Sequence, residues 1–345
     1  MKQYLLPENG TFYKTNLHCH STLSDGRFTR EEIKEAYKAN GYSAVAFTEH
    51  EGLFDSSHLT DDDFVAITSY EYSITSKENV FSEYIDEEEY LKNFKYRECI
   101  HLNLYAKDPH NNKMVCHDPK YIWGETRKYL DQLEYVGTPD YRRIYSVEKI
   151  NEVIKAANDN GFLVVYNHPH WSINNASNIY KHLRGLHGIE IHNGASHKAT
   201  NLDYVPWVYD EMARTGQRLI CTGADDNHAT WDRFLAWTMI KAEKLDYTSI
   251  MTAFEKGDCY CSSGPEIYDL FVEDKEWVTV RCSPVEAAYL TPAHRDCQVK
   301  FKETEDGLTE ARFKIREADL YFRITLRDAK GNHANTRIYY FDELK

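Results

Sequence analysis

The sequence predicts an α/β fold, in which a parallel sheet or barrel over residues 1–263 is followed by a small antiparallel β-sandwich-like domain over residues 264–345. Three observations predict it. Seven short apolar runs alternate with amphipathic helical stretches between residue 16 and about residue 263, the pattern of strands joined by crossover helices. A length of 345 residues suits one large α/β unit with an appendage. After Ser263-Gly264-Pro265 the helical pattern stops, and short alternating runs such as LFVEDKEWVTVRCS, EARFKI and LYFRITLR follow, with Asp-Gly and Gly-Asn turns.

The seven runs are NLHCHS, YSAVAFTEH, FVAITSYEYS, IHLNLYA, FLVVYNHPH, GIEIHNG and RLICTGADDNH. Helices are expected over Thr29 to Asn40, Ser146 to Asn160, Leu202 to Thr215 and Thr248 to Lys256. Thr29 and Glu32 make a capping box and Gly41 ends the first helix, while Ser146 and Gly161 bracket the second. An insertion at about 76–145 breaks the alternation with an acidic stretch, SEYIDEEEYLKNFKYRE (82–98), and a longer polar excursion. In a barrel, insertions of this size either shape the binding face or form a solvated surface excursion.

Charge narrows the function. Lys and Arg number 41 against 55 Asp and Glu, a net charge of −14 with no basic run, which disfavours duplex nucleic acid as a partner. A small anionic substrate remains compatible if metal ions supply positive charge locally. No apolar stretch of membrane-spanning length occurs, and MKQYLLPENG lacks the basic and apolar regions of a secretory signal, so a cytoplasmic protein is expected. The eight cysteines (19, 99, 116, 221, 259, 261, 282 and 297) form no CxxC pair and read as reduced thiols.

The residues that carry chemistry sit at strand ends. His18 and His20 flank one cysteine, so in extended backbone both imidazoles face one side, and Asp25 follows in the next turn. Alone, an HxH pair is as often packed or exposed as metal-bound. It recurs in company, however: His50 ends the second run, Glu71 lies near the end of the third, His101 opens the fourth, His168 follows the fifth, and Asp226 and His228 end the seventh. In a parallel barrel the strand ends gather at one mouth, and so many buried imidazoles and carboxylates need ions or hydrogen bonds there. Imidazole and carboxylate without converging thiolates point to two or three divalent ions of the Zn, Mn or Fe kind.

HCHS with SDG, TEH, the Glu of SYEYS, the His of IHLNLY, NHPH and the terminal DxH resemble, over residues 16 to roughly 263, the ordered motif series of the polymerase-and-histidinol-phosphatase (PHP) superfamily. The resemblance implies a metal-dependent phosphoesterase on a distorted (β/α)7 barrel with a trinuclear site. DDNH, HLNL and SSGPEI further resemble a branch containing the carbamate hydrolase CehA. Carried over by motif, it suggests one ion on His18, His20, Glu71 and Asp226, a second on Glu71, His101 and His168, and a third on Asp25, His50 and His228. Asp226 is preferred over Asp225 for its spacing to His228. Glu71, Asp226 and His228 are then the expected catalytic residues; His170 and His117 are weaker candidates for a proton donor. Glu190, Asn193, His192 and Arg233 are candidate substrate-binding residues, although a hydrogen-bonded structural role suits His192 better.

The expected reaction is hydrolysis of a small phosphate ester by a hydroxide bridging metals. A carbonyl ester, amide or carbamate is the competing electrophile, and Arg97, Lys107, Arg142, Arg143 and Arg233 tip the balance towards phosphate. Tyr70, Tyr72, Trp171, Trp231 and Trp237 lie near the motifs, as core or as walls for a flat substrate. A non-catalytic, metal-stabilised binding module is the third reading, disfavoured because every expected ligand position is filled. The β-rich tail is expected to pack on the barrel or to mediate a homodimer.

Overall fold

A computed structural model of the chain describes residues 1–76, 97–174 and 177–345; most of the acidic stretch at 82–98 lies outside the described residues. The strands of the first part are β1 (Lys2–Tyr4), β2 (Thr11–Asn16), β3 (Ala44–His50), β4 (Val65–Thr75), β5 (Cys99–Ala106), β6 (Lys113–Met114), β7 (Glu134–Tyr135), β8 (Phe162–Tyr166), β9 (Gly188–Asn193) and β10 (Ile220–Ala224). Those of the second are β11 (Trp237–Ala242), β12 (Cys259–Ser262), β13 (Ile267–Glu273), β14 (Trp277–Val285), β15 (Ala287–Pro292), β16 (Gln298–Phe301), β17 (Leu308–Lys314), β18 (Tyr321–Arg327), β19 (His333–Thr336) and β20 (Tyr339–Tyr340). Described helices are α1 (Arg30–Ala39), α2 (Val147–Asp159), α3 (Gly194–Thr200), α4 (Pro206–Arg214) and α5 (Tyr247–Lys256). None of the described helices is long and apolar enough to cross a membrane.

Six of the seven expected runs supply β3, β4, β5, β8, β9 and β10, adjacent in that order in one large sheet beside β2; the first run, NLHCHS, shares only Asn16 with β2, so His18 and His20 follow that strand rather than lie in it. The expectation of an all-parallel sheet needs correction. β5 pairs antiparallel with both β4 and β8, whereas β2–β3, β3–β4, β8–β9 and β9–β10 are parallel. The reversal explains why His101 lies near the start of its strand whereas His50 ends β3 and His168 and Asp226 follow β8 and β10: a reversed strand brings its beginning to the shared end.

The sheet curls. Beyond β10, Asp226 N donates to His18 O (3.0 Å) and Asn227 O accepts from His20 N (3.1 Å), joining the segment after the last of the seven strands to the segment after the first. Inside the curl, Ala44 and Ala46 of β3, Val65 and Ile67 of β4, Tyr105 of β5, Leu163 and Val165 of β8 and Ile220 of β10 meet Ile250, Met251 and Phe254 of α5 in one apolar cluster. The outward residues of β3, Val45 and Phe47, pack on Ile33 and Tyr37 of α1, as period-two alternation requires.

Helix boundaries follow local chemistry. Thr29 accepts from Glu32 N (3.2 Å) while Glu32 accepts from Thr29 N (2.9 Å), a complete capping box. Ser146 caps α2, and Gly161 follows it at φ +81. Helix α3, right after the GIEIHNG run, is not foreseen from the sequence; Asn193 caps it by accepting from Ser196 N (2.9 Å). The β-rich tail is antiparallel throughout, in two layers. β13, β14 and β17 form one sheet together with the N-terminal β1, while β15, β16, β18 and β19 continue the large sheet through the β12–β19 pair. Leu270, Val278, Val280, Phe313, Phe322 and Ile324 fill the space between the layers.

Candidate metal centre

Along the inner face, the strands change character. β3 reads Ala44, Ala46, Thr48, His50, and β4 reads Val65, Ile67, Ser69, Glu71; the reversed β5 reads Tyr105, Asn103, His101 towards the same end. Each row passes from apolar to hydroxyl or amide and then to imidazole or carboxylate. One alternating pattern therefore builds both the core and the mouth above it.

At that mouth Glu71, nearly fully buried, is approached by five imidazoles. His50 Nδ1 and His101 Nδ1 lie 2.9 Å from its oxygens, His168 Nε2 3.2 Å, His18 Nε2 3.4 Å and His20 Nε2 3.5 Å. Asp226 Oδ1 lies 3.0 Å from His20 Nε2 and 3.2 Å from His18 Nε2. Asp25 lies 3.4 Å from His228 Nε2 and 3.7 Å from both His50 Nε2 and His20 Nδ1. All nine residues expected as ligands from the sequence thus come together.

The groupings are finer than expected. Ligand atoms of His20, Asp25, His50 and His228 lie within 4.8 Å of one another, as do those of His18, His20 and Asp226, of His18, Glu71 and His168, and of His50, Glu71 and His101. His18, His20, His50 and Glu71 each belong to two groups; the sharing of Glu71 was expected, that of the three histidines was not.

Two features test whether ions fit. His18 Nε2, both ring nitrogens of His20, Glu71 Oε2 and Asp226 Oδ1 are buried without a well-directed hydrogen bond. Each such atom costs about 1–3 kcal/mol if nothing satisfies it, and these point at one another across the gaps between the groups. Furthermore, His168 (φ +24) and Asp226 (φ +54) hold left-handed backbone conformations that non-glycine residues rarely adopt. The donor set and its unsatisfied atoms fit divalent cations.

A shell of buried carboxylates and amides aims these groups. Glu190 accepts from His18 Nδ1 (3.1 Å), His168 N (2.9 Å) and Asn193 Nδ2 (2.9 Å), and Asn193 Nδ2 also donates to Asp226 Oδ2 (3.0 Å). With Nδ1 of His18 held as a donor, its Nε2 keeps the lone pair a metal needs. Glu190 and Asn193, expected to contact substrate, are instead committed to the ligands. Glu190→Gln is expected to weaken metal binding about 10- to 100-fold, measured by competition with a chromophoric chelator; unchanged affinity would remove Glu190 from this role.

Asp225 accepts from Phe234 N (2.7 Å), Leu235 N (2.7 Å), Ala236 N (3.0 Å) and Tyr37 Oη (2.7 Å), and so anchors the turn after the DDNH motif while Asp226 faces the imidazoles. Glu49 accepts from Ser21 N (3.0 Å) and Ser24 Oγ (2.7 Å), folding the turn that presents Asp25. Gly26 closes that turn so tightly that a Cβ there would lie 2.2 Å from His20 O.

The electrostatics of the metal-free chain follow from this crowding. Burial raises the pKa of Glu71, but the imidazoles of His101, His18 and His50 outweigh it and hold the carboxyl well below its usual range. For His228, burial opposes the charge, while the Asp25 hydrogen bond and the charge of Asp226 prevail and lift it to about 9. His20 moves the other way, to about 3, because burial is reinforced by His50 and His228.

Other expected residues lie elsewhere. His192 packs against the rings of His197 (5.1 Å) and Tyr204 (5.2 Å), away from the ligands. The guanidinium of Arg233 covers the ring of Phe28 at 4.4 Å. His170 donates its backbone N–H to Asp203 Oδ1 (2.9 Å) and, like His117, Arg233 and His192, is not among the described residues lining the cavity over the centre.

That cavity, of about 730 Å³, is walled by Arg27, Arg97, Tyr121, Trp123, Trp171 and Trp231 and floored by Asp25, His50, Glu71, His101, His168, Asp226 and His228. Arg143 also reaches its wall, but both its terminal nitrogens donate to Glu51 at 2.6 Å, so its charge is already paired. Tyr121, Trp123 and Arg27 were not singled out from the sequence. Trp123 lies inside the irregular insertion, where no periodic signal marks a wall residue. Tyr70 and Tyr72, by contrast, are core.

No family model and no curated protein matches the chain. Among solved structures, similarity is found to a two-domain protein from Bacteroides vulgatus containing a predicted PHP-like metal-dependent phosphoesterase (13% identity, 98% of this chain and 97% of the other, TM-score 0.44). It is found also to an amidohydrolase from Chromobacterium violaceum (16% identity, 63% and 89%, TM-score 0.37) and to PsfC from Pseudomonas syringae (14% identity, 71% and 88%, TM-score 0.41).

Proposed function

We propose that this chain is a metal-dependent hydrolase of the PHP type, on a distorted seven-stranded barrel, that cleaves a phosphate ester of a small molecule. The observation that carries the reading is the convergence of five unsatisfied buried atoms of His18, His20, Glu71 and Asp226 beneath an open cavity. Divalent ions held by His18, His20, Asp25, His50, Glu71, His101, His168, Asp226 and His228 would supply Lewis-acid charge and a water of lowered pKa.

The protein's own groups do the rest. Glu190 and Asn193 fix the orientation of His18 and Asp226. Arg27 and Arg97 place two cationic side chains on the cavity wall, where a phosphate's non-bridging oxygens need them. The Arg143–Glu51 pair fixes the insertion against β4, since Arg143 also donates to Ser73 O (2.8 Å), and Thr126 Oγ1 ties the same insertion to His50 O (3.0 Å).

The test is to purify the protein without chelators, count its metals by mass spectrometry, and assay p-nitrophenyl phosphate beside p-nitrophenyl acetate. Two to three ions with phosphate release are expected. Bound metal with only the acetate cleaved would transfer the reading to a carbonyl electrophile, and a metal-free active preparation would overturn it.

A further inference from the structure

Three of the chain's six tryptophans line the one cavity above the candidate metal centre. Trp123 lies 4.8 Å, centroid to centroid, from the ring of His50. Trp171 lies 5.0 Å from His168 and 5.4 Å from His101, tilted steeply to both. Trp231 stands at the rim, 50% exposed, and Trp171 is 41% exposed. Two indoles are thus braced against candidate ligand rings.

A site meant only for a small polar phosphate gains nothing from this wall. Exposed indole surface, as at Trp171 and Trp231, is uncommon beside a charged centre, and Tyr121 and Ile173 line the same cavity. At about 730 Å³ the cavity is of the size that encloses a multi-ring organic molecule. Polarity is also divided: carboxylates and imidazoles form the floor, Arg27 and Arg97 supply cations, and three indoles share the rest of the lining with small and hydroxyl-bearing residues such as Ala195, Ala199 and Thr200.

We propose that the group esterified to the phosphate is a flat aromatic ring, stacked on the wall formed by Trp123, Trp171 and Trp231. The proposal rests on the phosphoesterase reading above and narrows it to aryl-bearing esters. Aromatic pairs prefer offset-stacked or edge contacts, and the bracing of Trp171 by His101 and His168 fixes the plane on which such a ring would lie.

The experiment is calorimetric titration of the metal-loaded protein with phenylphosphonate and with methylphosphonate, which carry the same anion but are not hydrolysed. Phenylphosphonate is expected to bind about tenfold more tightly. Trp231→Ala, at a half-exposed position, is expected to erase most of that preference, whereas Trp171→Phe, which keeps a ring, retains it. Equal affinities for the two phosphonates overturn the proposal, as does a preference untouched by Trp231→Ala. Release of phosphate from 2-phenylethyl phosphate, measured on the same preparation, reports separately on the phosphoesterase reading. If phenylphosphonate binds preferentially but no phosphate is released, the aromatic subsite stands and phosphorus is not the electrophile.

Discussion

Glu71→Gln is expected to lower kcat by about a thousandfold and to reduce the metal content of the purified protein by at least one ion per chain, with the circular dichroism spectrum unchanged. The magnitude follows from position. Glu71 is the carboxylate nearest to the rings of His50, His101 and His168 and lies within 3.5 Å of His18 and His20 as well, so its charge would stabilise more than one cation. Losing several kcal/mol of such stabilisation, at 1.4 kcal/mol per tenfold, gives a change of this order. Glutamine preserves the shape and leaves the β3–β4 pairing intact. Full activity with full metal content in this variant would remove Glu71 from the centre. A loss of turnover with all ions retained would instead confine its role to the reacting groups.

Stripping the metals is expected to lower the melting temperature by about 5 °C at neutral pH, and by more as the pH rises. Ions present at a thousand times their dissociation constant stabilise a fold by about 4 kcal/mol, which for a chain of this size is a shift of that order. The pH dependence comes from the metal-free form. His228 has its pKa raised to about 9, from an ordinary value of 6.5, by Asp25 and Asp226 against the opposing effect of burial. Its stabilising contribution is therefore fully present below about pH 6.5 and is lost as the pH rises through about 9. His18, His50 and His101 are shifted in the same direction, burial being overcome by Asp226, Asp25 and Glu71 in turn. Protons thus partly stand in for ions at low pH and cannot do so at high pH, while metal binding itself strengthens as imidazoles lose their protons. Scanning calorimetry of chelated and reloaded protein between pH 6 and 9 measures the gap; a gap that narrows with rising pH would contradict this account.

Much of the centre was legible in the sequence because its ligands sit at the ends of strands whose apolar alternation is strong. His50 and Glu71 continue the inner-face rows begun by Ala44 and Val65, so recognising the strand already aims the ligand. The direction of β5 was not legible, since the alternation in IHLNLYA reads the same both ways and the insertion before it sets no handedness. Nor were the roles of Glu190 and Asn193. Their spacing marks them as facing the site, but only the fold shows that their polar atoms are engaged by His18, His168 and Asp226. Helix α3 was missed because GASHKAT is short and carries no apolar stripe; its start depends on the Asn193 cap. Strand β11, in AWTMIKA, was passed over because it follows the DDNH motif without a helix between, contrary to the alternation that marks the rest.

The row of backbone bonds between β12 and β19, Tyr260 with Thr336, Cys261 with Asn335 and Ser262 with Ala334, makes the junction between the two parts of the chain a seam rather than a tether. β12 is bonded to β11, and β11 to β2, the strand that leads into His18 and His20. Ending the chain at residue 263 would strip β12 of its neighbour and bare a line of unpaired amides and carbonyls, the template on which chains aggregate edge to edge. It would also uncover Tyr209, whose hydroxyl accepts from Ile338 N (2.8 Å). The tail therefore covers an edge of the motif-bearing half, and a chain trimmed to residues 1–263 is expected to be limited first by solubility, before any chemistry could be measured.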